Sequence, residues 1–497
     1  MSSATLRLWP ELAGPRISPN IYGHFAEHLG RCIYEGIWTG AKSRIPNEHG
    51  LRVDVIAALQ HLRAPVLRWP GGCFADDYHW RDGIGPAKDR PTTVNLWWQQ
   101  AEPNDFGTDE FMRFCQAAGT APYLCTNIGS GTPREARNWL EYCNFSGDST
   151  LTRLRAKHGR EAPYEVKYWG IGNESWGCGG RFTAEDYATE YIRTASYMRA
   201  MDRGIHLIAC GSGFGDGSIP AFVSWNQKFC EKMYHPDLIE HLSIHRYFTR
   251  GHALTFTDTE YRELFADLVM LERDIESTDA VLRYYYPDKH VGIAVDEWGC
   301  WHPEATTENG LEQPQPLRDA VHAGAVLNLF NRWAQRVDMA NLAQTINVLQ
   351  CLAMTKGRDM ILTPTYFVFD MMSPHMGGSL VTQELETDTF CGHPMGLKRQ
   401  CEIPYLSASA SRSGNKLHIT IANQTPDQDI ELRIDLRGIA AALASGKLLH
   451  ADSANAANTF ETPKAVVSKR LKIEAAGTEI VQHIPRHSFT AIHVTLG

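Results

Sequence analysis

Between residues 20 and 348, short apolar runs rich in β-branched and aromatic residues alternate with longer stretches whose apolar positions recur every three or four residues. The short runs are 20–25, 65–69, 122–127, 166–171, 206–210, 241–245, 290–295 and 339–348. They are largely apolar and β-rich, as the buried strands of a parallel sheet should be. Helices are predicted over 184–202 (Tyr187, Tyr191, Ala195 and Met198 on one face), 261–284 and 317–337 (Leu317, Val321, Ala325, Phe330 and Trp333). Eight strand-then-helix units predict a closed (β/α)8 barrel, because an open doubly wound sheet usually holds fewer strands.

After about residue 378 the period changes to two. Leu417, Ile419 and Ile421, then Ile430, Leu432 and Ile434, alternate with polar residues across a turn-like 423–429. Segments 464–473 and 488–496 continue the pattern, which predicts an antiparallel β-sandwich. The run 5–9 has no place among the eight units and is expected to add a strand to that sandwich. The predicted organisation is an amino-terminal strand (1–17), a barrel (18–378) and a sandwich (379–497).

Composition narrows the class. With 497 residues, 43% hydrophobic and 21% charged, the chain suits a large barrel plus an accessory domain. A formal net charge of −9 argues against nucleic acid or an anionic membrane as partner. The start has no basic segment leading into an apolar core, and no apolar stretch reaches the length of a membrane span. The 12 cysteines are scattered, with no CxxC pair and none after Cys401, unlike a zinc ribbon or a small disulfide framework. A cytoplasmic protein with reduced thiols is the expectation.

The candidate chemistry sits at two strand ends. Glu174 follows the fourth run in Gly172-Asn173-Glu174, and Glu297 follows the seventh in Asp296-Glu297-Trp298. A carboxylate after a buried parallel strand lies at the C-terminal mouth of the sheet, where such folds gather their active sites. Two of them across one mouth suit glycoside hydrolysis, one as acid and one as nucleophile or base. Trp176 and Trp298 beside them are placed to stack on a sugar.

Five strings in order, 21–30 (IYGHFAEHLG), 67–72 (LRWPGG), 170–174 (GIGNE), 243–247 (SIHRY) and 295–298 (VDEW), resemble glycoside hydrolase family 51, the α-L-arabinofuranosidases, nearly end to end. The resemblance implies a retaining double displacement with Glu174 as acid/base and Glu297 as nucleophile. It implies that Asn173 bonds the sugar 2-hydroxyl and that Arg68 and Tyr247 hold Glu297 ionised. Glu27, His245, Trp301 and Gln344 match family positions around the furanose. One residue departs: after Pro70-Gly71-Gly72 many members carry Asn, and this chain has Cys73, a far weaker hydrogen-bonding group as a thiol. The resemblance also implies a homo-oligomer, the hexamer.

Two other motifs compete. His24-Phe25-Ala26-Glu27-His28 fits the H-x-x-E-H zinc-peptidase pattern, which needs a helix that Pro19 and Gly30 disfavour. The glycine run 211–217 breaks the G-x-G-x-x-G spacing and reads as a loop at the mouth. The expected activity is exo-hydrolysis of terminal α-L-arabinofuranosyl residues from arabino- and arabinoxylo-oligosaccharides, with no metal and no cofactor. The alternatives are a β-xylosidase or endo-β-glucanase on the same framework and, in another class, a non-catalytic carbohydrate-binding protein.

Overall fold

The computed structural model describes residues 2–213, 219–473 and 475–497. After β1 (Ser2–Arg16), eight parallel strands pair in chain order and close on themselves: β2 (Gly23–Phe25), β3 (Val66–Trp69), β4 (Ala121–Thr126), β5 (Tyr168–Ile171), β6 (His206–Ala209), β7 (His241–Phe248), β8 (Gly292–Cys300) and β9 (Val337–Ala343). Alternation along each strand sorts side chains by destination. Val66, Tyr123, Ile208, Ala294 and Met339 fill the barrel interior. Trp69, Trp169, Leu207 and Ile293 face the surrounding helices in a much larger core.

The strands differ from expectation mainly at their ends. Residues 19–22 form a 3-10 turn instead of strand, with Pro19 at its start and the Ser18 hydroxyl accepting the Asn20 amide at 3.3 Å. At the other end β7 and β8 run on to Phe248 and Cys300, so Tyr247 and Glu297, like His245, stand on strands, where the sequence placed those two after them. His245 and Glu297 are register partners.

The helix expected over 261–284 is two, α1 (Asp258–Ala266) and α2 (Leu268–Tyr285), joined at Asp267. That side chain is held away from the helix by Arg250, at 2.8 Å through two nitrogens, and by the Met395 amide at 2.6 Å. The helix expected over 317–337 stops at Arg332 as α3 (Leu317–Arg332), because Val337 already belongs to β9. From Leu317 to Asn331 every residue of α3 is buried, not one face only. Its polar positions dock on the second domain: Asn328 Nδ2 donates to the Ser407 carbonyl and Asn331 Nδ2 to Ser409 Oγ, both at 3.0 Å.

The second domain is one curled sheet of ten strands, largely antiparallel. Beyond β1 it contains β10 (Ser379–Glu386), β11 (Leu406–Ser413), β12 (Lys416–Asn423), β13 (Ile430–Asp435), β14 (Ala441–Leu449), β15 (Lys469–Leu471), β16 (Ala475–Ala476), β17 (Glu479–Ile484) and β18 (Phe489–Leu496). The order is β15-β14-β18-β12-β11-β10-β1-β13-β17-β16. It is not purely antiparallel: β1 runs antiparallel to β10 and parallel to β13. A strand arriving from the chain start is tied to neither neighbour by a hairpin, so no turn dictates its direction. Leu6, Leu8, Ile419, Ile421, Leu432 and Ile434 meet in this domain's own core.

Candidate active site

The site forms at the C-terminal mouth of the barrel. The turn after β5 passes through Gly172 and Glu174, both with positive φ (80° and 40°), which turns the Glu174 side chain back over the barrel axis. Glu297 projects inward from β8. His245 Nδ1 lies 2.9 Å from Glu174 Oε1 and 2.8 Å from Glu297 Oε2. The three groups present atoms mutually within 4.8 Å.

Beneath them the Asp296 carboxylate faces His245 Nε2 at 3.2 Å and accepts from the Tyr123 hydroxyl at 2.7 Å and from Ser243 Oγ. Arg68, wholly buried, donates to the Asp296 carbonyl at 3.3 Å and to Asn173 Oδ1 at 2.5 Å, and its NH1 stands 3.9 Å from Glu297 Oε1. Burial pulls the Glu297 carboxyl upward, but the charge and hydrogen bond of His245, then Arg68, outweigh it and hold that group below the usual range. Asp296 is lowered as well: burial is again overcome, here by Arg68 and then by His245. His245 answers in the other direction, since its own burial is outweighed by Glu297 and Asp296, keeping the imidazole charged.

Glu27 lies just beyond. Burial, then the Glu297 charge, pushes its carboxyl up to about 7, although it accepts from the Phe74 amide at 3.0 Å and from Trp98 Nε1 at 3.2 Å. Gln344 is paired to it twice: its Nε2 donates to Glu27 Oε2 at 3.1 Å, and its Oε1 accepts the Glu27 amide at 3.2 Å. The Gly71-Gly72 pair has a spatial reason here. A Cβ on Gly71 would stand 2.6 Å from Glu27 Cγ, and one on Gly72 would stand 3.0 Å from Glu297 Oε1.

Of the residues singled out in the sequence, Glu27, Arg68, Asn173, Glu174, His245, Glu297 and Gln344 converge on this mouth. Tyr247 packs edge-on against Trp301, with ring centroids 5.3 Å apart. The hydrogen bond expected from Tyr247 to Glu297 is not formed; His245 and Arg68 face that carboxylate instead. Trp298, expected to stack on a sugar, is fully buried against Phe330 and Phe369, because the residue after an inward Glu on a strand must point outward to the helices. Trp176 donates to the Gly211 carbonyl at 3.2 Å. His24 and His28 do not face a common ligand: His24 packs on Phe369, and His28 bonds Glu102 at 2.7 Å and accepts from Trp69 Nε1 at 3.1 Å. Of the glycine run, 211–213 leads away from β6, and 214–217 lie outside the described residues.

Cys73 is not a thiol in this structure. It is bonded to Cys178, which corrects the expectation of uniformly reduced cysteines; the other ten are free. Sequence reasoning missed the bond because the pair is separated by 105 residues and meets only when the loops after β3 and β5 face each other. It also missed the task of Asp76. Burial pushes that carboxyl up to about 7 while it accepts the Ile128, Gly129 and Asn173 amides at 2.8–3.1 Å, tying the loops after β3, β4 and β5 together. Trp98 and Tyr123 were missed as well. None of these carries a local signal, since their partners lie on other units of the barrel.

Two family models match the chain: the α-L-arabinofuranosidase 1 domain over residues 58–250 and the α-L-arabinofuranosidase C-terminal domain over 296–488. The chain is 39% identical over 474 residues to an intracellular exo-α-L-arabinofuranosidase of Bacteroides ovatus, covering 93% of this chain and 90% of that protein. Among solved structures it is similar to the GH51 arabinofuranosidase of Xanthomonas axonopodis pv. citri, with a TM-score of 0.93 at 33% identity over 99% of this chain and 100% of that one. It is also similar to the α-L-arabinofuranosidase of Thermotoga maritima solved as an arabinose complex, with a TM-score of 0.86 at 35% identity and the same coverage.

Proposed function

The chain belongs to the family 51 α-L-arabinofuranosidases of the glycoside hydrolases, and on that premise we propose that it removes terminal non-reducing α-L-arabinofuranosyl residues from arabino- and arabinoxylo-oligosaccharides with retention of configuration. The observation that carries this reading is the closeness of the two carboxylates, whose oxygens lie within 4.8 Å on a shared imidazole nitrogen. Retaining glycosidases hold their carboxyl groups about 5–5.5 Å apart, inverting ones about 6.5–9.5 Å apart to admit a water.

Glu297, kept ionised by His245 and Arg68, attacks the anomeric carbon while Glu174 gives its proton to the departing oxygen. The glycosidic bond breaks and a glycosyl ester forms on Glu297. Water then enters; Glu174 takes its proton, the ester bond to Glu297 breaks, and both residues are restored. The His245 Nδ1 proton can face whichever carboxylate is charged at each stage, because Nε2 stays against Asp296. Asn173, oriented by Arg68, is a donor for the 2-hydroxyl, where a bond that tightens in the transition state raises the rate. Glu27 and Gln344, paired to each other, serve the remaining hydroxyls of the furanose, with Tyr247 and Trp301 at the rim.

Every proton and electron pair in these steps is carried by a side chain already named, so a chelator should leave the rate unchanged. A cytoplasmic setting is supported by the intracellular Bacteroides relative and by the ten free thiols, and a homo-oligomer, the implied hexamer, is read by sedimentation. The test is a panel of aryl glycosides followed by NMR. The arabinofuranoside should lead the panel in kcat/KM and release first the sugar with the anomeric configuration of the substrate. A panel led by the xyloside or a glucoside, or a first product of inverted configuration, would overturn the reading.

A further inference from the structure

The disulfide stands against the acid/base carboxylate. Cys73 opens the turn after Gly72, and Cys178 lies four residues beyond Glu174. Cys178 Sγ is 3.8 Å from Glu174 Oε2 and accepts from Asn173 Nδ2 at 3.7 Å. The two sulfurs and a Glu174 oxygen are mutually within 4.8 Å, and all three residues are only half-buried. Nothing in the hydrolytic steps uses these sulfurs.

We propose that this disulfide masks a soft-metal site: once it is reduced, the Cys73 and Cys178 thiolates and the Glu174 carboxylate hold one divalent ion of the zinc type, and the enzyme stops. A dithiol, itself oxidised to a disulfide, or a phosphine, oxidised with one water to its oxide, supplies the two electrons; each sulfur takes up a proton as the bond between them breaks. Metal binding releases both protons and forms two metal–sulfur bonds and one metal–oxygen bond. Zinc bonds of about 2.3 Å to sulfur and 2.0–2.2 Å to oxygen set tetrahedral sulfur–oxygen separations near 3.5 Å. The Cys178–Glu174 pair already stands close to that value, so only the sulfurs have to part, which side-chain rotation supplies. Two thiolates select zinc or cadmium over magnesium and calcium. Solvent takes the fourth position. Glu174 Oε1 keeps its imidazole partner, but with Oε2 on the ion it can no longer carry the proton.

The site does not depend on the glycosidase reading; the loss of rate does, since it requires Glu174 to be the acid/base. Spectrum and rate are therefore measured separately, on full-length wild type and Cys178→Ser, each air-oxidised or reduced with a phosphine. Reduced wild type should bind one cobalt(II) with a thiolate charge-transfer absorption. Micromolar zinc should lower its hydrolysis of an arabino-oligosaccharide, a poor leaving group, about 10²-fold below its own metal-free rate, the lower end of a general acid's contribution, and a chelator should restore it. Oxidised wild type and reduced Cys178→Ser should show neither effect. No charge-transfer band in the reduced wild type would overturn the site. Equal zinc inhibition in all samples would assign the ion to Glu174, His245 and Glu297 instead. A band without loss of rate would leave the site but overturn the capture of the acid/base, and with it the role of Glu174.

Discussion

Strand β7 carries two histidines, His241 and His245, that serve opposite ends of the barrel. At the N-terminal end His241 and His290 both face the Asp338 carboxylate, at 3.5 and 2.9 Å, and Arg336 stands 3.2 Å from His290. Three bases meet two acids there, since Arg336 also pairs with Asp279, and half of the His290 side chain is open to water. At the mouth the balance is reversed. Glu27, Asp296, Glu297 and the half-buried Glu174 crowd around two cations, Arg68 and His245, in a place largely closed to water. The comparison teaches what a buried excess of acids does. Where bases are in excess, a carboxylate is simply stabilised; where acids are in excess in a buried place, one carboxylate's charge raises a neighbouring carboxyl, as burial and then Glu297 do at Glu27. One end of the barrel holds the fold and the other is poised for chemistry.

The comparison breaks most severely at Glu297. Glu297→Ala removes the nucleophile, and the rate should fall by about 10⁴-fold or more on every substrate, with azide giving a product of inverted configuration. Glu174→Ala should lose about 10²–10⁴-fold on an oligosaccharide, a poor leaving group, and far less on an acidic phenol, with azide giving the retained product. Stopped-flow release of the phenol and NMR of the azide adduct read both. The same leaving-group dependence in the two variants would exchange or dissolve the assigned roles.

A smaller effect is expected at His245. His245→Asn removes the charge that holds Glu297 down, so the acidic limb of the pH profile of kcat/KM should move to higher pH, with a loss of about 10-fold or more at the optimum. An unmoved limb would assign Glu297 to the care of Arg68 alone.

The smallest effect belongs to the opposite end. The folded Asp338 carboxyl is held well below its usual value, burial being outweighed by the hydrogen bonds of His241 and His290. A depressed acid contributes stability above its unfolded pKa, about 3.9, and loses it as pH falls through the folded value. Asp338→Asn should therefore cost about 1–2 kcal/mol at pH 7, seen as a lower melting temperature, and the gap from wild type should close as the pH drops below about 4. Its kcat should stay that of the wild type. A changed pH–rate profile would erase the distinction between the two ends.

Much of the fold was legible along the chain because most barrel strands are short, largely apolar runs between turn residues, which reports burial locally; β7, with His241, Ser243 and His245, is the exception. The two glutamates were legible for the same reason: each interrupts such a run at its C-terminal end. Trp298 shows where that reading gave out. Adjacency to Glu297 in the sequence predicts proximity to the sugar, but on a strand adjacent residues face opposite sides, and β8 extends past both. Asp267 marks another limit, since at the joint between α1 and α2 its side chain pairs with Arg250, a residue from a different segment of the chain.

The order of strands and helices, the change of period after the barrel, and the presence of two carboxylates at strand ends were determined by the sequence itself, because periodicity and turn chemistry act between neighbours. Only the tertiary structure decided which charges meet. The single imidazole shared by Glu174 and Glu297, the Arg68–Asn173 bond, the Asp76 tie among three loops and the Cys73–Cys178 bridge join residues tens to hundreds of positions apart. Closing eight strands into a ring brings their C-terminal ends within hydrogen-bonding reach, and a pairing across a ring leaves no trace in the order of the residues that make it.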